Sequence, residues 1–254
     1  MLRIFVGFDD RQWISFTTLA SSIYKTAKRP VAITPLILET LPITRRGLTP
    51  FTFSRFLVPW LCDYSGPAIF MDADMLLVSD ITELEEEIKE EVAVSVVQSL
   101  EQYEQSSFML FNCDHPSHKK LTPDVVQETA MNLHGLEWVE KDEVGSLEPK
   151  WNQLIGYQQV DLNEGNLHFT MGIPAFKETS TSEGASLWQR SAKMAMSAIP
   201  WVEIMGPSVH VIEIDGVKFP KYVWDFEKNQ PKPEHLNLVK SHIIENRTPS
   251  KPSK

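Results

Sequence analysis

The segment Ala68-Ile69-Phe70-Met71-Asp72-Ala73-Asp74-Met75-Leu76-Leu77-Val78 sets two carboxylates two residues apart inside an apolar run. Such a run, following Ser65-Gly66-Pro67, predicts a strand covered on both faces, as in the parallel sheets of α/β proteins. Charge inside a buried strand is costly unless the strand ends there or a cation meets it. Ligands collect at the carboxyl ends of strands in these sheets, so Asp72 and Asp74 are expected at the mouth of a cleft. Carboxylate oxygens in that position suit Mg²⁺ or Mn²⁺.

The flanking pattern supports an α/β chain. Leu2 to Val6 reads as a strand ending at Gly7-Phe8-Asp9-Asp10, and Trp13 to Ala27 as a helix with Asp9 or Asp10 as its cap. Val31 to Leu38 reads as a second strand, and Thr49-Pro50 as the start of a helix running through Arg55 to about Leu61. After the acidic motif, Ile81 to Glu91 predicts a helix, and Val92 to Val97 and Ser107 to Phe111 predict strands. Thr122-Pro123-Asp124 begins a further helix, Ser186 to Ala198 is amphipathic, and Val209 to Ile214 is a strand entering an Asp215-Gly216 turn. Residues 1–247 are expected to form one domain, with a nucleotide and metal half to about residue 115, an acceptor half from 116, and a disordered tail from Thr248 to Lys254.

The 24 basic and 34 acidic residues give a formal net charge of −10, with no basic cluster longer than Arg45-Arg46. That argues against a nucleic-acid footprint, and an acidic protein that holds a phosphate compound needs a local cation. Two cysteines, Cys62 and Cys113, make no disulfide framework, which fits a reducing cytoplasm. No window predicts a membrane span, and the opening Leu2-Arg3-Ile4-Phe5-Val6 lacks the apolar length of a signal peptide.

A bare D-x-D is a weak signal, but here it stands in an ordered series. Phe53-Ser54-Arg55-Phe56-Leu57-Val58-Pro59, Ile69-Phe70-Met71-Asp72-Ala73-Asp74 and Val78-Ser79-Asp80-Ile81-Thr82-Glu83-Leu84 resemble three successive motifs of glycosyltransferase family eight. Those are an Arg-bearing helix, the D-x-D strand and a helix start. The resemblance implies a GT-A fold, a mostly parallel central sheet flanked by helices, with metal-dependent, retaining sugar transfer. Leu167-His168-Phe169-Thr170-Met171-Gly172-Ile173-Pro174-Ala175-Phe176 is similar to the family's C-terminal segment. There a His completes the metal site, and a Gly and a Lys hold the donor diphosphate. The resemblance thus implies Asp72, Asp74 and His168 as metal ligands and Gly172 against the diphosphate. The family Lys is replaced by Ile173, leaving Lys177 or Arg55 to neutralise phosphate charge.

Other segments follow the same resemblance. Gly7-Phe8-Asp9 matches the family's uridine-holding turn; Asp9 as a simple helix cap is the alternative. Asp72-Ala73 is expected against the donor, and Arg55 either near the diphosphate or paired with a strand-end Asp, two roles that are compatible. Ser106 to Asn112 resembles the strand beside the sugar pocket, with Ser106 and Ser107 in place of Asn-x-Gly and Asn112 as a polar candidate. Asp142 to Asn152 resembles a stretch of bacterial relatives, with Asp142 and Glu143 either lining the pocket or forming an exposed acidic turn.

The expected function is transfer of a sugar from a nucleoside diphosphate donor, UDP-sugar foremost, to a hydroxyl of a glycan, lipid-linked or protein acceptor. Two other readings stand beside it: a phosphohydrolase of the haloacid dehalogenase type with Asp72 as nucleophile, and a non-catalytic sugar-nucleotide or glycan-binding module. The first places its D-x-D on the first strand, whereas two strand-like segments precede Asp72 here.

Overall fold

The structure, a computed structural model, describes residues 1–98, 102–197, 211–214, 216–220, 223–225 and 227–247. It divides into two compact units, 1–196 and 197–254, so the change of sequence character near residue 115 falls inside the first.

The first unit is built on a six-stranded sheet in the order β2-β1-β3-β6-β5-β7. Its strands are β1 (Leu2–Gly7), β2 (Val31–Leu36), β3 (Pro67–Met71), β5 (Val94–Val96), β6 (Phe108–Asn112) and β7 (Val144–Ser146). Parallel pairing joins β1 to β2 and β3, and β5 to β7, while β6 runs antiparallel between β3 and β5. Every strand but β6 therefore points the same way.

Period-two alternation distributes the side chains to two cores. Ile4, Val6, Ile69, Met71, Phe108 and Leu110 pack with Leu19 and Ile23 of helix α1 (Trp13–Thr26). Phe5, Phe70, Met109 and Phe111 face the other side, against Phe56, Leu57 and Trp138. Apolar cover on both faces explains why these strands read as unbroken apolar runs.

The long apolar run is not one strand. It leaves the sheet at Asp72 and resumes as β4 (Met75–Leu77), which belongs to a separate three-stranded sheet with β8 (Gln153–Leu154) and β9 (Asn166–His168) in the order β4-β9-β8. The expected single strand through Val78 is thus two strands in two sheets, jointed at the carboxylates, because neither interior accommodates a charge.

The expected helix from Pro50 to Leu61 is likewise divided into α2 (Phe51–Ser54), a 3₁₀ turn Arg55–Leu57 and α3 (Val58–Leu61). Pro59 has no N–H to donate to Arg55, and Val58 bonds the Arg55 carbonyl instead, tightening the turn. Ile81–Glu87 is a 3₁₀ helix capped by the Asp80 side chain. Further along the chain lie α4 (Gln102–Gln105), α5 (Pro123–Glu128), whose Thr122 hydroxyl caps Val125 N, and α6 (Ala185–Ala195).

The second unit holds an antiparallel pair, β10 (Val211–Ile214) and β11 (Val217–Pro220), a short pair, β12 (Trp224–Asp225) and β13 (Gln230–Pro231), and helix α7 (Leu236–Arg247). Phe219, Val223 and Val239 form its small core. The start of the expected Val209 strand, Asp215 and the Thr248 to Lys254 tail lie outside the described residues.

Candidate functional site

The joint between the two sheets is fixed on both sides by backbone hydrogen bonds. Asp72 N donates to Ser107 O at 2.9 Å, the last rung beside β3 and β6, and Phe169 N donates to Asp74 O at 2.9 Å, the first rung beside β4 and β9. Met75 pairs with His168 across β4 and β9. Residues remote in sequence thereby meet: one ligand atom from each of Asp72, Asp74 and His168 lies within 4.8 Å of the other two.

This cluster sits on the wall of a cavity of about 440 Å³, lined also by Leu48, Phe51, Arg55, Glu104, Ser107, His134 and Thr170. A smaller recess of about 60 Å³ shares Thr49, Phe51 and Asp74 with it and adds Asp9, Gln12, Ser15 and Ala73.

The carboxylates are unsatisfied in a way that suits a divalent cation. Asp72 Oδ1 and Asp74 Oδ1 are both buried without a directed hydrogen bond. Asp72 Oδ1 has an ion-pair contact with Arg55 Nη2 at 3.1 Å, and Asp74 Oδ1 faces His168 Nε2 at 3.3 Å. Two hard oxygens and an imidazole nitrogen fit Mn²⁺ or Mg²⁺ by donor chemistry.

Arg55 is buried, its Nη1 donating to Ser106 O at 2.8 Å and its Nε to Phe51 O at 3.3 Å, with the guanidinium over the Phe70 ring. Burial lowers its pKa against the raising effect of Asp72 and Asp74, and guanidinium remains charged throughout. Burial pushes Asp72 up to about 7, opposed by Arg55 and reinforced by Asp74. Burial would lower His168, but the carboxylates of Asp74, Asp72 and Glu104, Asp74 foremost, together outweigh it and raise the ring above its ordinary value. Without a cation, then, the site favours fewer negative charges.

Further side chains, to which the sequence assigns no role, stand beside the ring or on the cavity wall. Asn152, buried in a 3₁₀ turn Pro149–Asn152, accepts from His168 Nδ1 at 2.9 Å. Glu104 of α4 accepts from Thr170 Oγ1 at 2.9 Å and lies 3.7 Å from His168 Nδ1. His134 Nδ1 meets Ser106 Oγ at 2.7 Å. Glu104 and His134 belong to no spacing pattern, and only Asn152 stood within a family-like stretch.

The structure does not bring the remaining candidates to the cation cluster. Asn112 pairs with Pro67 at the start of β3, the end of the sheet opposite Asp72, and donates to Lys89 O. The cause is direction: β6 is antiparallel, so its first residues approach the site and its last ones leave it. Asp142 and Glu143 precede β7 at that same far end, where Glu143 O accepts from Ala93 N and its carboxylate accepts from Glu140 N and Ser117 Oγ.

Gly172, at φ +115°, lines a second cavity of about 440 Å³ with Phe169 and Met171. His168 and Thr170 line the first cavity and Phe169 and Met171 the second, so the end of β9 and the turn closed by Gly172 N to Phe169 O at 2.8 Å serve two sides. Lys177 is exposed and lines neither, and Ile173 is buried with Phe169 and Trp188.

At the end of β1, a Cβ on Gly7 would lie 2.4 Å from the Phe51 ring, so glycine there admits a ring that lines the main cavity. Phe8 is buried edge-on between Trp13 and Phe16. Asp9 both caps Arg11 N and pairs with the Arg11 side chain, on the wall of the smaller recess.

No family model matches the chain. Among solved structures, the bifunctional glycosyltransferase WbbM is similar over 80% of this chain and 51% of its own, with a TM-score of 0.56 and 15% identity. The chain thus spans about half the length of that protein. The glycosyltransferase GlyE of Streptococcus pneumoniae TIGR4 is similar over 83% and 66%, at a TM-score of 0.55 and 16% identity. The galactosyltransferase LgtC, solved with donor and acceptor sugar analogs, is similar over 79% of this chain and 99% of its own, at 0.53 and 12%. At these identities the likeness concerns the fold, which is the GT-A glycosyltransferase type. In sequence the chain is 35% identical over 219 residues to Protein CDI of Arabidopsis thaliana, across 73% of this chain and 84% of that protein, and it belongs to the family of Protein CDI.

Proposed function

We propose that the chain is a metal-dependent glycosyltransferase of the family-eight kind. It would transfer a hexose from a nucleoside diphosphate sugar, UDP-sugar foremost, to a hydroxyl of a glycan, lipid-linked or protein acceptor, with retention at the anomeric carbon. The observation that carries this reading is the convergence of Asp72, Asp74 and His168 on the wall of a 440 Å³ cavity. Asp72, Asp74 and His168 would hold Mn²⁺ or Mg²⁺, which when bound supplies Lewis-acid stabilisation of the charge on a leaving diphosphate.

The chain's own groups have distinct tasks. Arg55 holds Asp72 in place and adds fixed positive charge to the cavity wall. The Asp9 and Ala73 recess beside Asp74, at the end of β1, is where the nucleoside would lie. Ser107, Thr170 and Glu104 offer hydroxyl and carboxylate partners for sugar hydroxyls. Among the described residues no helix is long and apolar enough to cross a membrane.

One observation favours a second reading, a non-catalytic sugar-nucleotide-binding module: Ile173 is buried in an apolar cluster and Lys177 lies outside both cavities. Turnover separates the two. Wild-type protein with Mn²⁺ is expected to release UDP from a member of a UDP-sugar panel, with Asp74→Asn reducing the rate at least ~100-fold while keeping the fold. Donor binding without UDP release, with or without acceptors, overturns the enzyme reading in favour of the module. Unchanged Mn²⁺-dependent turnover in Asp74→Asn overturns the site.

A further inference from the structure

The His168 ring has two nitrogens, and only one of them faces Asp74. The other, Nδ1, lies 2.9 Å from Asn152 Oδ1. A side-chain amide can be reversed, with oxygen and nitrogen exchanged, but here the surroundings forbid it. Asn152 Nδ2 donates to the Glu104 carbonyl at 2.9 Å and contacts Ser107 Oγ at 3.1 Å. A carbonyl only accepts, so the amide nitrogen must point toward Glu104 and the amide oxygen toward the ring. Oδ1 also only accepts, which obliges Nδ1 to carry its proton and leaves the Nε2 lone pair aimed at the carboxylates. Asn152 is buried on a turn closed by Trp151 N to Glu148 O at 3.1 Å, so the orientation is held by the fold and not by solvent.

We propose that Asn152 is a positioning residue that selects the Nδ1–H tautomer of His168 and so presents Nε2 as a cation ligand. The same amide ties α4, through the Glu104 carbonyl, to the ring, joining the helix that carries the Glu104 carboxylate to the third ligand. Metal-binding imidazoles gain from such a partner, whose loss costs 10- to 100-fold in affinity. The ligand role of Nε2 rests on the metal reading above, whereas the tautomer itself does not.

The test has two arms. Nitrogen-15 NMR of the metal-free protein, recorded at alkaline pH where the ring is neutral, reads the tautomer without a variant. Wild type is expected to show Nδ1 protonated and Nε2 bare, and Asn152→Ala to move the proton to Nε2, toward Asp74. Titration with Mn²⁺ is expected to show at least ~10-fold weaker binding in Asn152→Ala, with Asn152→Asp, which still accepts from Nδ1, within ~3-fold of wild type.

A wild-type ring protonated at Nε2 overturns the proposal, as does an Ala variant that binds Mn²⁺ like wild type. Equal losses in the Ala and Asp variants overturn it too, since Asn152 would then act only through Glu104 and Ser107. If wild type binds Mn²⁺ no better than Asp74→Asn, the metal reading fails, while an Nδ1–H ring still upholds tautomer selection by Asn152.

Discussion

Arg55 and Asp72 form an ion pair in which the cation is buried and the anion is nearly so. Such pairs owe little to Coulomb attraction alone, because desolvation opposes it, and breaking one side costs about 3–5 kcal/mol by stranding the other. Its service here is placement: the guanidinium is anchored to two carbonyls and so holds the Asp72 oxygen at the cavity wall. A second buried titratable group, remote from the site, makes a pH prediction. His118 Nε2 donates to Ala93 O at 2.8 Å, and Nδ1 accepts from Trp138 Nε1 at 3.3 Å, so the neutral ring satisfies both partners. Its pKa is lowered to about 4, chiefly by burial, which outweighs the raising effect of the Ala93 carbonyl, with smaller opposing effects from His115 and Glu143. The folded value lies below the unfolded one, so the stability it contributes is present above pH ~6.5 and is lost as pH falls toward 4, up to ~3 kcal/mol at ~1.4 kcal/mol per pKa unit. The difference in unfolding free energy between wild type and His118→Gln, followed from pH 7.5 to 4, should shrink over this window. A difference independent of pH would mean that the ring titrates freely.

Among the elements, β9 carries His168 and depends on one glycine. Gly165 sits at φ +75° with its carbonyl accepting from Val78 N and Ser79 N, and a Cβ there would lie 2.1 Å from Lys150 O. Gly165→Ala meets both backbone strain and a clash with backbone, and is expected to lower unfolding free energy by at least ~2 kcal/mol and to weaken Mn²⁺ binding by displacing β9. Urea denaturation and metal titration on one preparation check both. Elements also explain what the sequence could disclose. Two carboxylates in an apolar run are visible because they violate burial, Gly7 stands at a recognisable strand end, and Arg55 stands within a recognisable helix just before the acidic strand. Period two announces a strand but not its direction, so nothing in the sequence shows that Asn112 ends β6 away from Asp72. The joint at Asp72 to Asp74 was also invisible, since apolar residues continue through both strands while the sheet changes beneath them. Glu104 and Asn152 reach the ring from a four-residue helix and a 3₁₀ turn, and only tertiary packing brings them there.

For the whole molecule, the division of one apolar run between two sheets has a mechanical consequence. His168 lies 94 residues beyond Asp74, yet the two side chains are in contact where the sheets meet. A cation shared among Asp72, Asp74 and His168 would therefore act as a reversible clasp across a long loop, stabilising the folded chain because the unfolded chain does not assemble the three ligands. At a Mn²⁺ concentration about 100 times Kd the stabilisation is ~2.7 kcal/mol, which for a chain of this size raises Tm by several degrees. Chelation should reverse the shift, and Asp74→Asn should abolish it. Hydrogen exchange would locate the clasp: amides of β4, β8 and β9 should slow together with Asp72 N when Mn²⁺ is added, and regain their speed when it is withdrawn. The ion would thus add to the packing and backbone hydrogen bonds that already hold the smaller sheet to the larger one, and that sheet's edge would register how much metal surrounds the protein.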